Sequence, residues 1–199
     1  MVVASVHDVV AAILDRTGPE SPMKLQKLLY YTQGWHLGLT GEVLFPNRIE
    51  AWTAGPVVPD VYRCHEGSRE VTAWPEGDGS RLSESDADLV DTVVERYGCF
   101  DRHQLSAMTH EEEPWRTARG DLPDTAPSSA RLSETVMARF FGRMITDPVT
   151  AVAEARASAY LEGLEVSASA LAASEAVANG AISTDDAVQR RLRELLNTA

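Results

Sequence analysis

The dipeptide Asp147-Pro148 limits what this chain can build more than any other feature. The residue before a proline is pushed out of helical geometry, so a helix arriving from Leu132 has to end there. The composition also changes across it. Upstream, aromatic and branched aliphatic side chains recur throughout. From Thr150 to Ala199 the chain is rich in alanine, with one aromatic residue, Tyr160, and no Trp, Cys or His. A segment with so few large apolar side chains buries too little surface to be stable by itself. The sequence therefore divides into residues 1–146, which can form a core, and residues 147–199, expected to lean on that core or on a partner.

The first part reads as a mainly α, α+β fold with a small β-element. Val6, Val9, Val10, Ile13 and Leu14 recur at helical spacing between Ser5 and Arg16, and Gly18-Pro19 closes the run. Proline at the first turn opens a second helix from Pro22 to Leu39, with Leu25, Leu28, Leu29, Gly34 and Trp35 on its buried side. Tyr30, Tyr31 and Trp35 fit either a ligand-binding cluster or, at this spacing, the core. Val43–Phe45 and Ile49–Trp52 have the composition of two short strands around Pro46-Asn47. Gly55-Pro56-Val57-Val58-Pro59 turns into a helix near Asp60–Cys64. From Gly67 to Ser80 the chain is rich in Gly, Pro and Asp, as a surface excursion with one strand at Glu70–Trp74 would be. Leu89, Val90, Val93, Val94 and Tyr97 predict a helix capped by Ser83 or Ser85 and closed at Gly98. Helices from Asp101 to Thr109, from His110 through Trp115, and from Leu132 to Met144 complete this part.

Several function classes lose support at this point. The formal charge of −12 repels phosphate backbones, so general nucleic-acid binding is not expected. No run of about 18 apolar residues and no basic leader is present, and the chain reads as soluble and cytoplasmic. Cys64 and Cys99 form no CxxC pair, and Cys64, His65, Cys99 and His103 match no zinc-ligand spacing. His110-Glu111-Glu112-Glu113-Pro114 is not H-E-x-x-H. Acidic residues ahead of Pro114 are explained by the preference of a helix N-terminus for negative charge. No Gly-rich phosphate loop or nucleophile–base pair stands out, so neither an enzyme nor a bound cofactor is expected.

The tail accommodates three short helices: about Val149–Glu162, then Ala168–Ala178 capped by Ser167 and stopped by Asn179-Gly180, then a third opened by Ser183 and ending near Leu196. In the first, Ser158 and Glu162 lie four residues apart and share a helix face, and Gly163 follows as the stop. A carboxylate there opposes the helix dipole by roughly 0.3–1 kcal/mol, so Glu162 is poised for a cation from outside. The same residue pattern occurs at Thr72-Ala73-Trp74-Pro75-Glu76-Gly77, but the internal Pro75 rules out a regular helix in that copy.

Two resemblances meet in this chain. Met23-Lys24-Leu25-Gln26-Lys27-Leu28-Leu29-Tyr30-Tyr31, Gln33-Gly34-Trp35-His36, Ile49-Glu50-Ala51-Trp52, Gly55-Pro56-Val57-Val58-Pro59 and Thr109-His110-Glu111-Glu112-Glu113-Pro114-Trp115 resemble the Panacea domain of the SocA-like antitoxins, over about residues 5–145. That resemblance implies a mostly helical, non-catalytic domain that neutralises a toxin encoded beside it in bacteria or phages. Within its motifs, Lys24, Leu25, Gln26, Lys27, Tyr30, Trp35, Trp52, Gly55, Pro56, His110, Pro114 and Trp115 are read as mostly structural. The tail, about Arg156 to Leu196, resembles the VbhA-like antitoxins of Fic toxins, and Ser158-Ala159-Tyr160-Leu161-Glu162-Gly163 stands where that family carries its inhibitory motif. Fic enzymes transfer AMP from ATP to proteins. The resemblance implies that Glu162 pairs with a toxin arginine that would otherwise hold the ATP γ-phosphate, that Ser158 hydrogen-bonds nearby, and that Gly163 lets the toxin backbone approach. Arg156, Tyr160, Leu161 and Leu164 are the further partner-contact candidates. The alternative expectation is an adaptor that delivers a toxin to a protease, with the tail as an interaction helix.

Overall fold

A computed structural model describes residues 3–146, 167–178 and 181–182. The chain divides into two units, Met1–Gly142 and Arg143–Ala199. Mainly α architecture is observed: α1 (Val6–Thr17), α2 (Pro22–Thr40), β1 (Glu50–Trp52), β2 (Gly55–Val57), α3 (Pro59–His65), a 3-10 turn (Gly79–Arg81), α4 (Glu84–Tyr97), α5 (Arg102–Glu111), α6 (Glu113–Arg119), α7 (Glu134–Thr146) and α8 (Ala168–Ala178). No helix among the described residues is long and apolar enough to cross a membrane.

The first unit is built around α2. The Ser21 hydroxyl accepts from the Lys24 amide at 3.3 Å, Pro22 supplies the first turn, and the Gly41 amide closes the last turn on the Leu37 carbonyl. Leu25, Leu28, Leu29, Tyr30 and Tyr31 have no exposed surface, and buried residues occur on every side of the helix. A helix apolar all round is a core helix. α1, α4, α5 and β2 pack around it. α7 reaches it by another device, because Gly34 and Gly38 present bare backbone to Phe141. A Cβ on Gly34 would lie 2.1 Å from the Phe141 ring, and one on Gly38 would lie 2.8 Å from the backbone nitrogen of Gly142. The glycines here permit close approach of two helices, so Gly34 is core by virtue of having no side chain.

The β-element is real but its partners differ from the expectation. β1 pairs antiparallel with β2, Glu50 opposite Val57 and Trp52 opposite Gly55, and Thr53-Ala54 make the turn. Val43–Phe45 is not a strand. The amides of Leu44 and Phe45 are taken by the Gln33 side-chain oxygen at 3.0 and 3.2 Å, and the Gln33 amide nitrogen donates to the Phe45 carbonyl at 3.0 Å. A buried glutamine of α2 thus supplies the bonds that a neighbouring strand would have given. The other edge of β1 is partly covered by residues 130–132, through Ala51 N–H to Ala130 O at 2.8 Å and Leu132 N–H to Ile49 O at 2.8 Å.

Residues 67–80 are tied down more than a surface excursion requires. Val71 bridges Glu20, and Trp74 is buried, stacking on His7 with centroids 5.9 Å apart and donating to His7 Nδ1 at 3.1 Å. No helix forms over Thr72–Gly77, as Pro75 demands. In the second unit, Ser167 caps α8 by accepting from the Ala170 amide at 3.2 Å. The expected first and third tail helices lie outside the described residues.

Candidate functional site

Gln26 and Lys27 of α2 face inward and hold the hairpin and the residues that follow it. Lys27 has no exposed surface, and its Nζ donates to the Pro56 carbonyl at 3.1 Å. β2 can lie on the lysine stem because position 55 is glycine. Its φ is +98°, and a Cβ there would sit 2.6 Å from Lys27 Cε and 2.7 Å from Thr109 Oγ1. Burial lowers the Lys27 ammonium from 10.5 to about 7, since desolvation penalises the charged form. The preceding residue, Gln26, reads the next stretch of the same loop. Its side-chain oxygen accepts from Val58 N–H at 2.8 Å, and its nitrogen lies 3.4 Å from the Val58 carbonyl and 3.1 Å from His65 Nε2. Burial also lowers the His65 pKa.

One turn further along α2, Tyr30 and Tyr31 both donate to one buried carboxylate, Glu112, at 2.6 and 2.9 Å. Tyr31 stacks on Tyr97 with centroids 3.8 Å apart, and Trp35 Nε1 donates to the Tyr97 hydroxyl at 3.0 Å. Burial first, and then the Glu112 charge, push the Tyr31 phenol well above its usual pKa. Tyr30, Tyr31 and Tyr97 are therefore core, wired to a glutamate, whereas Trp35 is half-buried. Glu112 is the N-cap residue of α6 by position, yet its side chain makes no cap bond. The expectation that all three acidic residues here serve the helix N-terminus fails for it, because two phenols offer its carboxylate a better-enclosed pair of donors.

The remaining motif residues complete the same lattice. Trp115 Nε1 donates to the Trp52 carbonyl at 3.0 Å, and Trp52 Nε1 to Glu50 Oε2 at 2.8 Å. His110 stacks on Trp115 at 4.1 Å, and the Arg119 guanidinium lies 4.7 Å from the same ring. Arg119 donates to the carbonyls of Ala51, Pro123 and Ala126 at 3.1, 2.6 and 2.7 Å, which fixes the loop between α6 and α7. Desolvation, followed by the nearby Lys27 charge, lowers the His110 pKa. Pro114 is buried in the first turn of α6, and Leu25 is fully buried in the core. Lys24 lies nearer the surface, with Nζ 2.7 Å from Glu20 and 2.9 Å from the Gly98 carbonyl.

Gln33 and Glu112 stood inside the quoted motifs with no individual role assigned, Arg119 was not singled out, and in the structure these three join the parts of the lattice. The available signal was their chemistry, since long polar side chains on otherwise apolar faces need partners when buried. Cys64 and Cys99 are exposed free thiols, and no group of three His, Cys, Asp or Glu among the described residues could hold a metal ion. Glu111 faces Arg116 at 3.6 Å, and Glu113 pairs with Arg139. Chemically, the arrangement clamps a hairpin to a helix. The inhibitory-motif candidates Ser158, Glu162 and Gly163, and the contact candidates Arg156, Tyr160, Leu161 and Leu164, lie outside the described residues.

Comparison with known proteins gives two family matches in one chain. Residues 25–116 match the family described as antitoxin SocA-like, Panacea domain, and residues 150–193 match antitoxin VbhA. Among curated proteins the chain is similar to antitoxin SocA of Caulobacter vibrioides (strain NA1000 / CB15N), with 50% identity over 54 residues. That alignment spans 27% of this chain and 28% of the relative. No solved structure matches the chain.

Proposed function

We propose that this chain, which joins a SocA-like Panacea domain to a VbhA-like segment, is an antitoxin that silences a Fic-type AMP-transferase. The Panacea domain is the docking body, and the tail is the inhibitor. The observation that carries this reading is the position of Ser158-Ala159-Tyr160-Leu161-Glu162-Gly163 inside the segment, 150–193, that matches antitoxin VbhA.

In this reading Glu162 takes a guanidinium of the toxin in a bidentate pair, as a pair of phosphate oxygens would. The arginine is then unavailable to ATP, and the alignment needed for AMP transfer is lost. Ser158, one turn earlier on the same face, hydrogen-bonds beside that pair. Gly163 ends the helix where the toxin backbone comes close. The closed lattice of the Panacea domain suits a rigid platform, since a docking surface made of preorganised elements loses little entropy on binding. An AMP-transfer assay on the neighbouring gene product, which this reading predicts to be a Fic protein, with Glu162→Gly as the comparison, tests the proposal.

A further inference from the structure

An open trough runs between the C-terminal half of α2 and the N-terminal half of α4. Two cavities, about 1050 and 340 Å³, adjoin along it and share Leu39, Ser85 and Leu89 in their walls. Leu39 is 58% exposed and Val3, in the wall of the larger cavity, is 51% exposed. Two of the four large hydrophobic side chains that stand exposed among the described residues therefore line this one feature. Leaving a leucine in water forgoes roughly 1.5–3 kcal/mol that burial would contribute, and a contact that covered Leu39 would recover part of it.

The lining is net acidic, with four carboxylates, Asp8, Glu42, Asp86 and Asp88, against two guanidiniums, Arg81 and Arg96. The carboxylates of Glu42 and Asp88 are exposed on the rim, and those of Asp8 and Asp86 line the wall. Of the basic side chains beside them, Arg81 lies 3.8 Å from Asp8 and 3.7 Å from Asp78, and Arg96 lies flat over Trp35 at 4.9 Å. His36 stands 3.7 Å from Asp86. An apolar floor with an acidic rim complements a helix that carries aliphatic residues on one face and lysine or arginine on the other.

We propose that this trough is the docking surface for a cationic amphipathic helix of the partner protein. Naming that partner as the toxin rests on the antitoxin reading above, whereas the surface itself stands on its shape and charge. Apolar contacts to Leu39 and Leu89 would anchor the helix, and Glu42, Asp86 and Asp88 would set its orientation.

The test uses the full chain and a labelled helical peptide of about 18 residues, long enough for five turns. One version carries Leu at i, i+3, i+4 and i+7 spacing with Lys elsewhere, and a second carries Glu in place of Lys. Three variants are titrated by fluorescence anisotropy after circular dichroism confirms their folding: Glu42→Lys with Asp88→Lys, Leu39→Ser, and a matched charge control, Glu66→Lys with Glu70→Lys, whose positions are exposed and outside the trough. The expected result is binding of the Leu/Lys peptide alone. The trough charge pair and Leu39→Ser should each weaken it about tenfold or more, and the control pair by less than about threefold. Equal weakening by the two charge pairs, full binding to Leu39→Ser, or equal binding of the Leu/Glu peptide would overturn the proposal. The titration uses no Fic protein, so its failure is separable from failure of the Glu162 mechanism.

Discussion

Gly34 of α2 and the ring of Phe141 are so close that a single methyl group between them would lie 2.1 Å from the ring. Phe141 is fully buried and meets Tyr30, Tyr31 and Trp35 edge-on at 5.7, 6.3 and 5.5 Å, so it has no room to retreat. In an exposed helix interior, Gly→Ala would stabilise by up to about 1 kcal/mol. Here overpacking outweighs that gain, and Gly34→Ala should cost about 1–3 kcal/mol. Urea midpoints at constant slope measure it, and a variant more stable than wild type would show that α7 does not pack as described.

Glu112 carries a second prediction. Its replacement by alanine leaves the buried hydroxyls of Tyr30 and Tyr31 without their shared acceptor. A hydrogen bond to a charged group contributes about 1.5–3 kcal/mol, so the loss of two should lower the urea midpoint of Glu112→Ala markedly. Restoring shape without polar demand, by adding Tyr30→Phe and Tyr31→Phe to Glu112→Leu, should recover much of the loss. Equal stability of Glu112→Ala and wild type would mean the triad is ornamental.

The buried Lys27 makes stability depend on pH with a definite sign. Its folded pKa, about 7, lies below the unfolded value of 10.5. Between those values the unfolded chain holds a proton that the folded chain has released, so stability rises with pH. The burial penalty is present in full below pH 7 and is relieved across that window. The slope from this group is at most about 1.4 kcal/mol per pH unit. Tyr31 acts oppositely above pH 10, because its raised pKa keeps the folded phenol protonated while the unfolded one ionises. Urea midpoints at pH 7, 8 and 9 should climb for wild type and stay nearly flat for Lys27→Met. Parallel slopes in the two proteins would remove Lys27 as the cause.

Legibility in this sequence followed the range of the interactions. α1, α2, α4 and α8 were readable because apolar spacing, the opening Pro22 and caps such as Ser83 and Ser167 lie within a few positions of one another. Rejection of a helix at Thr72–Gly77 was likewise local, through Pro75. The hairpin was misplaced because its competitor was distant: Gln33 satisfies Leu44 and Phe45 from another element, leaving Gly55–Val57 to pair with β1. Glu112 looked like a helix-start residue because the phenols that hold it are more than 80 positions away in sequence. The exposed side of Leu39 was unreadable for a similar reason, since only the placement of α4 turns it into the wall of a trough. The motif at Ser158 was read from its spacing and from resemblance.

The role of that motif separates into two side chains. In the proposed mechanism Ser158→Ala removes one hydrogen bond beside the pair that Glu162 would form, and it should weaken inhibition of the toxin by roughly tenfold or less. Glu162→Gly removes the charge itself, and it should abolish inhibition while leaving the complex largely intact, because the proposed docking body is the Panacea domain. Dose–response curves for the two variants against one toxin preparation rank them. A larger effect from Ser158→Ala would reverse the assigned roles.

Co-expression of this chain with the neighbouring gene product, followed by an AMP-transfer assay, is the most direct measurement. The account predicts that the neighbour is a Fic protein, silent beside the wild-type chain and active in modifying its targets beside Glu162→Gly. If both forms silence the toxin equally, Glu162 does not block the active site, and neutralisation proceeds by another route, such as delivery of the toxin to a protease.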